Sequence, residues 1–423
     1  MKYLTRKLCK FLWHIENVQI CTYKTFNPCF KTDYICNKNN QERILKNINI
    51  RKGVGNIILI NELNDKMIKA FEGDKERFLR LIEQEIYKLP NDTHPDVIDY
   101  NDEPREVEYI DAKPKFDFNP FDLGDIGNKM NILRTDNLSA MTGPKSYVFI
   151  DSLTHLERAL ILYTVNVLKN NGFKFVSVPD ILPSTIIEGC GMSTKGDRNQ
   201  VYHLSNSHGS NLCLAGTSEI SIAGLLAGSQ NLNVDEPIKY AAISRCYRAE
   251  TSGVAQEKGI YRVHQFTKVE MFLCCHPNES SKLLDYIIEI QKKIITPLGI
   301  HVKILDMPPH ELGAPAYRKY DMEAWMPGRN MWGEISSCSN CTDYQSRRLA
   351  IKFEKNGSKD FVHTLNGTAC AVPRLLIALL ETHQKKDGTI SLPKALVPFM
   401  NNCDKIKRMK RVPDIKFIKN LKV

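Results

Sequence analysis

The sequence predicts an α+β protein, with a mixed, mainly antiparallel sheet that carries packed helices and a short helical unit in front of it. Strand-like runs at Tyr147–Ile150 and Phe173–Val176 alternate with amphipathic helical stretches over Leu153–Asn170 and Ser280–Ile294. They do so without the strict strand–helix–strand rhythm of a doubly wound parallel sheet. Neither a GxGxxG turn nor a GxxxxGK(S/T) loop occurs, so any phosphate site is built on other elements.

Taken in order, residues 1–40 mix Lys2, Arg6, Lys7 and Lys10 with Leu4, Leu8, Phe11, Leu12 and Trp13, with Glu16 and Asp33 as their only acids. Bases interspersed with apolar residues fit an organellar presequence better than the continuous apolar block of a secretory signal. From about Arg43 to Leu89 the composition is helical. Leu63, Met67 and Phe71 form one apolar stripe and Phe78, Ile82 and Ile86 another, with Gly73-Asp74 between them. This predicts an antiparallel helix pair with arms of roughly 15 residues, or about 22 Å each. Pro90-Asn91-Asp92 ends the unit, and the Pro- and acid-rich stretch from His94 to Pro120 reads as a linker, with the domain boundary near 110. A large domain over 111–403 and a basic tail over 404–423 complete the division.

The 423 residues are 42% apolar and 25% charged, the composition of a folded globular protein, and too many for one core. No apolar run approaches the roughly 18 residues needed to cross a bilayer, so no membrane association is expected. The net charge of +10 sits at the two ends, leaving the middle near neutral. A basic tail on a neutral body suits phosphate backbones, or is a solvated end. Thirteen cysteines in a long chain without a secretory signal read as reduced thiols. Cys338 and Cys341 make a single C-x-x-C with no second pair, so no zinc site is expected.

Phosphoryl chemistry without a phosphate-binding turn needs cations, and two arginines lie among acids and hydroxyls: Arg248 in RCYRAETSG and Arg374 in NGTACAVPRLLIALLE. These segments resemble known ones. RCYRAETSGVAQEKGIYRVHQFTKVEMF is similar to the second signature motif of class II aminoacyl-tRNA synthetases, and NGTACAVPRLLIALLE to the third. Pro179, in FKFVSVPDILP, stands where the first motif's interface proline is expected. LAGTSEI, YDMEAWMPG, GEISSCSNCTDYQSRR and HTLNGTACA point to the serine-specific members, and TACAVPRLLIALLE to the animal mitochondrial branch. The resemblance runs from about Lys145 to Met400.

It implies the class II antiparallel sheet flanked by helices, and a serine–tRNA ligase in the mitochondrial matrix. The enzyme would form seryl-adenylate from ATP and L-serine and pass serine to tRNA(Ser). Arg248, Glu250 and Arg374 would be catalytic. Arg248, Glu250, Arg262, Val263, Phe266, Glu334, Ile335, Ser336, Ser337 and Arg374 would hold ATP, with Phe266 stacked on adenine and Arg248 and Glu250 on one face of a strand. Glu334 and Ser337 would hold Mg²⁺ with ATP, since a hard cation prefers oxygen ligands. Thr217, Ser218, Glu219, Arg248, Glu270, Asn366 and Thr368 would bind serine. His264 would be structural and Lys258 a phosphate or tRNA contact. The resemblance also implies a dimer through Pro179, as a homodimer or with a paralogue.

It further implies a long coiled-coil arm, of which the 41–89 segment can form only a stub. The rival reading is a catalytically silent paralogue that acts as an RNA-binding or regulatory subunit. The presence of Arg248, Glu250, Glu270, Glu334, Ser337 and Arg374 argues against it.

Overall fold

The computed structural model describes residues 26–408 apart from 136–137, 139–140, 197–198, 206, 208–210, 251–257 and 356. Residues 1–25 of the expected presequence and 409–423 of the basic tail lie outside the described residues. Residues 26–40, assigned to the presequence, fold onto the body. Phe30 meets Tyr87 edge-on at 6.0 Å, Lys31 Nζ lies 3.0 Å from Asp343 Oδ2, and the Cys29 N–H donates to the Arg347 carbonyl at 3.0 Å.

Three helices follow: α1 (Gln41–Ile50), α2 (Ile57–Lys69) and α3 (Glu72–Lys88). Asn56 caps α2 by accepting the Leu59 N–H at 3.0 Å. Ile44, Ile48, Ile57, Ile60, Ile82 and Ile86 form their shared core. The turn falls at Ala70-Phe71 instead of Gly73-Asp74, and Phe71 is 88% exposed instead of part of a stripe. Glu72 and Asp74 explain the shift: acids favour the first turn of a helix, so α3 starts ahead of Gly73 and carries the glycine inside it.

Strand β1 (Arg105–Ile110) lies in the stretch read as a linker and pairs antiparallel with the strand Val302–Asp306, so the boundary set at 110 separates a strand from its own sheet. Only Ile110 of β1 is buried; the alternation of Val107 and Tyr109 with Glu106 and Glu108 is a strand signal, but it spans too few residues inside a Pro- and acid-rich stretch to stand out. The large domain continues with α4 (Leu123–Met130), α5 (Ser152–Asn170), β2 (Lys174–Phe175), α6 (Ser218–Leu226), β3 (Ile238–Tyr247), β4 (Gln265–Cys275), α7 (Ser280–Ile295), β5 (Val302–Asp306), β6 (Arg318–Met326), β7 (Met331–Thr342), α8 (Tyr344–Leu349), β8 (His363–Ala371) and α9 (Val372–His383).

The eight strands form one sheet in the order β1-β5-β6-β7-β8-β4-β3-β2, antiparallel throughout except for β2 against β3. Helices α5, α7 and α9 cover one face, where Leu156, Leu160, Ile287, Ile290, Leu376 and Leu379 meet Met271, Leu273, Met322 and Leu365. Side chains alternate along a strand, so the partners of those residues point the other way. Register aligns Ala242 with Glu270, Glu270 with Thr368, Ser339 with Asn366, and Asp321 with Ser337 on that second face. A polar row thus crosses the middle of the sheet. No helix among the described residues is long and apolar enough to cross a membrane.

Candidate active site

The polar row opens into a cavity of about 570 Å³, counting its mouth, and all ten residues expected at ATP line it: Arg248, Glu250, Arg262, Val263, Phe266, Glu334, Ile335, Ser336, Ser337 and Arg374. The route by which Arg248 and Glu250 arrive differs from expectation. Strand β3 ends at Tyr247; Arg248 keeps one ladder bond, its N–H donating to the His264 carbonyl at 3.0 Å, and the chain then folds so that the Glu250 N–H donates to the Arg248 carbonyl at 2.9 Å. Strand alternation therefore does not orient the pair. Arg262 likewise precedes β4, and its Nη1 stands 3.6 Å from Glu250 Oε2. The Arg248 guanidinium lies 5.3 Å from the centre of the Phe266 ring, within range of a cation–π contact.

Arg374 is the third residue of α9, whose first turn contains Pro373. Its Nη1 donates to the Glu334 carbonyl at 3.1 Å and to Glu334 Oε2 at 3.2 Å, while Nε donates to the Tyr261 carbonyl at 3.3 Å. Burial alone would raise the Glu334 pKa, but the cations Arg374, Lys319 and Arg248 outweigh it and hold the carboxyl below its usual range. Glu334 is thus ionised at neutral pH and, with the half-buried Ser337, offers hard oxygen donors that fit Mg²⁺. Ser336 is engaged inward: its hydroxyl donates to the Thr368 carbonyl at 2.6 Å and accepts from Gln291 Nε2 at 2.8 Å.

The residues expected at serine adjoin this cavity. Thr217 caps α6, its Oγ1 accepting the Glu219 N–H at 3.3 Å, and the Ser218 hydroxyl is buried without a hydrogen-bond partner. Glu219 Oε1 accepts from Gln345 Nε2 at 2.6 Å and Asn366 Nδ2 at 2.9 Å. Burial first, and then the Glu270 carboxylate, push the Glu219 pKa up to about 7. Glu270 itself receives Lys268 Nζ at 2.5 Å and Thr368 Oγ1 at 3.3 Å. Lys268 and Thr368 also line the larger cavity, so Glu270 marks the seam between the two halves.

Other expected residues lie around this centre. His264 Nδ1 sits 2.8 Å from the Tyr202 hydroxyl and 3.1 Å from the Arg248 carbonyl, which makes it a brace for the β3 end. The Lys258 carbonyl accepts from Arg329 Nη2 at 2.9 Å. Cys338 is packed in the apolar core, whereas Cys341 Sγ accepts from Asn366 Nδ2 at 3.5 Å, so they occupy different surroundings. Pro179 is exposed, and its carbonyl accepts from the Ser221 hydroxyl at 2.8 Å.

Sequence reasoning passed over Lys268, Gln345, Gln291 and Tyr261. Three had a signal: Lys268 stands two residues from Glu270 in a strand that is otherwise apolar after it, Gln345 lies inside the quoted TDYQSRR, and Tyr261 stands beside Arg262 inside the motif around Arg248. Gln291 had none, since its bonds join segments far apart in the chain.

A family model described as the tRNA synthetase class II core domain (G, H, P, S and T) matches residues 202–383. The mitochondrial serine–tRNA ligase of Mus musculus is 45% identical over 78% of this chain and 64% of its own, so the chain spans just under two thirds of that relative. The serine–tRNA ligase of Treponema denticola is 41% identical over 78% of this chain and 79% of its own. Among solved structures, seryl-tRNA synthetase from Pyrococcus horikoshii, complexed with ATP, superposes with a TM-score of 0.73 at 27% identity, covering 90% of each chain.

Proposed function

From the premise that this chain belongs to the serine–tRNA ligase family of class II aminoacyl-tRNA synthetases, we propose that it activates L-serine with ATP and transfers it to the 3′ end of tRNA(Ser). One observation carries the reading. A cation-rich cavity bounded by Arg248, Arg262 and Arg374 adjoins a small polar pocket holding Glu219, Glu270, Asn366 and Thr368.

The serine carboxylate attacks the α-phosphorus in line and pyrophosphate leaves; the terminal ribose hydroxyl of the tRNA then attacks the carbonyl of seryl-adenylate, the acyl–phosphate bond breaks, and AMP leaves as the hydroxyl proton is lost. No protein nucleophile is required. Arg248 meets the α-phosphate and the serine carboxylate where negative charge gathers, Arg262 and Arg374 hold the outer phosphates, and Phe266 offers a face for the adenine. Glu334 and Ser337 would hold Mg²⁺, which supplies charge neutralisation to the phosphates when bound. Glu219 and Glu270 take the ammonium and hydroxyl of serine, so alanine would leave buried polar groups unpaired.

The reading extends to a dimer through the Pro179 loop. Exposed Ile181 lies two residues beyond Pro179, and exposed Leu225 sits one turn beyond Ser221, which ties that loop to α6. The mitochondrial relative supports action in the mitochondrial matrix. A presequence would then end ahead of Phe26, because the chain from there on packs against the body.

The test is serine-dependent exchange of pyrophosphate into ATP, with threonine and alanine as controls. Exchange with serine alone, abolished in Arg248→Ala, is the expected result. A folded protein that exchanges with none of the three sinks the proposal in favour of the silent paralogue.

A further inference from the structure

Gln345 lies on the short helix α8 and is fully buried, with both ends of its amide engaged. Its Nε2 donates to Glu219 Oε1 at 2.6 Å, and its Oε1 accepts from Thr364 Oγ1 at 2.7 Å. A carboxylate only accepts, whereas a hydroxyl can do either, so an ionised Glu219 fixes which way the amide faces and the amide in turn favours the ionised carboxylate. Asn366 supplies a second N–H to the same oxygen.

The groups facing Glu219 pull in opposite directions. Burial and Glu270, from β4, favour its protonated form; Lys268, also on β4, and Arg248, at the end of β3, favour ionisation. The Cys190 and Cys341 thiols complete the surroundings, both pushed well above their usual range, chiefly by burial and next by Glu219 itself. Among the groups that favour ionisation, the hydrogen bond donated by Gln345 acts most strongly, ahead of Lys268 and Arg248.

We propose that Gln345 is a positioning residue that orients the Glu219 carboxylate and favours its ionised form, and so sets how tightly the site takes the ammonium group of its amino-acid substrate. The inference rests on reading Glu219 as part of the serine pocket. Gln345 reaches no substrate itself.

Gln345→Glu keeps the shape and removes the donor; Gln345→Met removes it without adding an acid. Both are expected to raise the KM for serine about tenfold or more at pH 7, with the KM for ATP within about twofold. They should also move the pH below which serine affinity falls upward by about one unit, and a merely structural residue would not move that profile. Glu219→Gln runs in parallel. If Glu219→Gln raises the serine KM while neither Gln345 variant does, or both variants raise the serine and ATP KM values together, the positioning role is overturned and the pocket stands. If Glu219→Gln leaves the serine KM unchanged, the pocket reading itself falls and takes this inference with it.

Discussion

Lys268 and Glu270, two residues apart on β4, meet through their side chains at 2.5 Å with both groups almost wholly out of water. A pair of this kind is expensive to assemble and more so to break, because removing one partner leaves an uncompensated buried charge. Lys268→Met should therefore cost about 3 kcal/mol or more of stability, read as a lowered Tm, and should raise the serine KM by leaving the buried Glu270 without the cation that orients it. A variant with unaltered Tm and unaltered serine KM would mean that Glu270 is held by Thr368 alone.

Arg374 spans Glu334 and the Tyr261 carbonyl, and so does two things at once: it bounds one end of the cavity, where we place the outer phosphates, and keeps Glu334 ionised. Arg374→Ala should reduce kcat/KM for pyrophosphate exchange by roughly 10²-fold or more. The sign of its pH effect follows from linkage. A carboxylate whose folded pKa is depressed contributes stability above its unfolded pKa and loses it as pH falls through the folded one. Without Arg374 the Glu334 pKa rises, so the acid-side loss of stability should begin at a higher pH in Arg374→Ala than in the parent. Superimposable acid-unfolding curves would contradict this.

Glu219 behaves in the opposite sense. Its pKa is pushed up to about 7 by burial and by Glu270, so it is close to half ionised at neutral pH, while the proposed contact with the serine ammonium requires the ionised form. The parent enzyme's serine KM should fall as pH rises through about 7 and flatten beyond, with the KM for ATP comparatively level. Keeping Glu219 charged costs stability, and that cost should recede as pH drops from 7 towards the ordinary carboxylate range. A serine KM flat between pH 6 and 8 would remove Glu219 from the binding step.

The motifs around Arg248, Glu334 and Arg374 were legible in the sequence because each packs its polar residues into one short segment. So were the long helices α5 and α7, whose apolar periodicity is sustained over many residues. What escaped depended on tertiary partners. β1 is an edge strand with five exposed residues, and its short alternation of Val107 and Tyr109 with Glu106 and Glu108 is lost among the prolines and acids on either side. Arg248 and Glu250 were given a strand, yet the strand stops at Tyr247 and a local turn sets them in place. Gln291 ties α7 to β7 and β8 through bonds to Ser336 and the Ser337 and Thr368 carbonyls, a role that no spacing along the chain encodes.

Two buried cations fix the helical arm to the large domain: Arg348, on α8, donates to the Tyr87 and Leu89 carbonyls at 3.3 Å, and Arg51 reaches across from the arm's side. Arg51, at the end of α1, is 4% exposed and donates to the carbonyls of Ala316 at 2.9 Å and Gly313 at 2.7 Å. Burial pushes its pKa down to about 10, so it remains charged at neutral pH. Arg51→Ala should loosen the arm, which Arg348 still holds at Tyr87 and Leu89, while leaving the cavity intact: tRNA charging falls several-fold, pyrophosphate exchange stays within about twofold, and the arm becomes more open to limited proteolysis. Equal losses in both reactions would mean that the arm's seat also supports the activation site.

Gly328, in the turn between β6 and β7, tests how rigid that hairpin must be. A Cβ placed there would lie 2.2 Å from the Phe121 carbonyl oxygen and 2.4 Å from its carbon, both backbone atoms that no rotamer change can clear. The turn is pinned from the far side as well. The Gly328 and Arg329 N–H groups donate to Glu381 Oε2 at 2.9 and 3.1 Å, while Glu381 Oε1 accepts the Leu123 N–H at 3.0 Å. One fully buried carboxylate thus joins the end of α9 to the hairpin and to the start of α4. Gly328→Ala has to push the hairpin away from Phe121 and stretch those bonds, at a cost of about 2–3 kcal/mol. Because Arg329 also holds the Lys258 carbonyl beside the cavity, the strain should reach catalysis, lowering exchange activity along with Tm. A variant of parental Tm would show that the chain near Phe121 yields, and that the hairpin is not the rigid seat argued here.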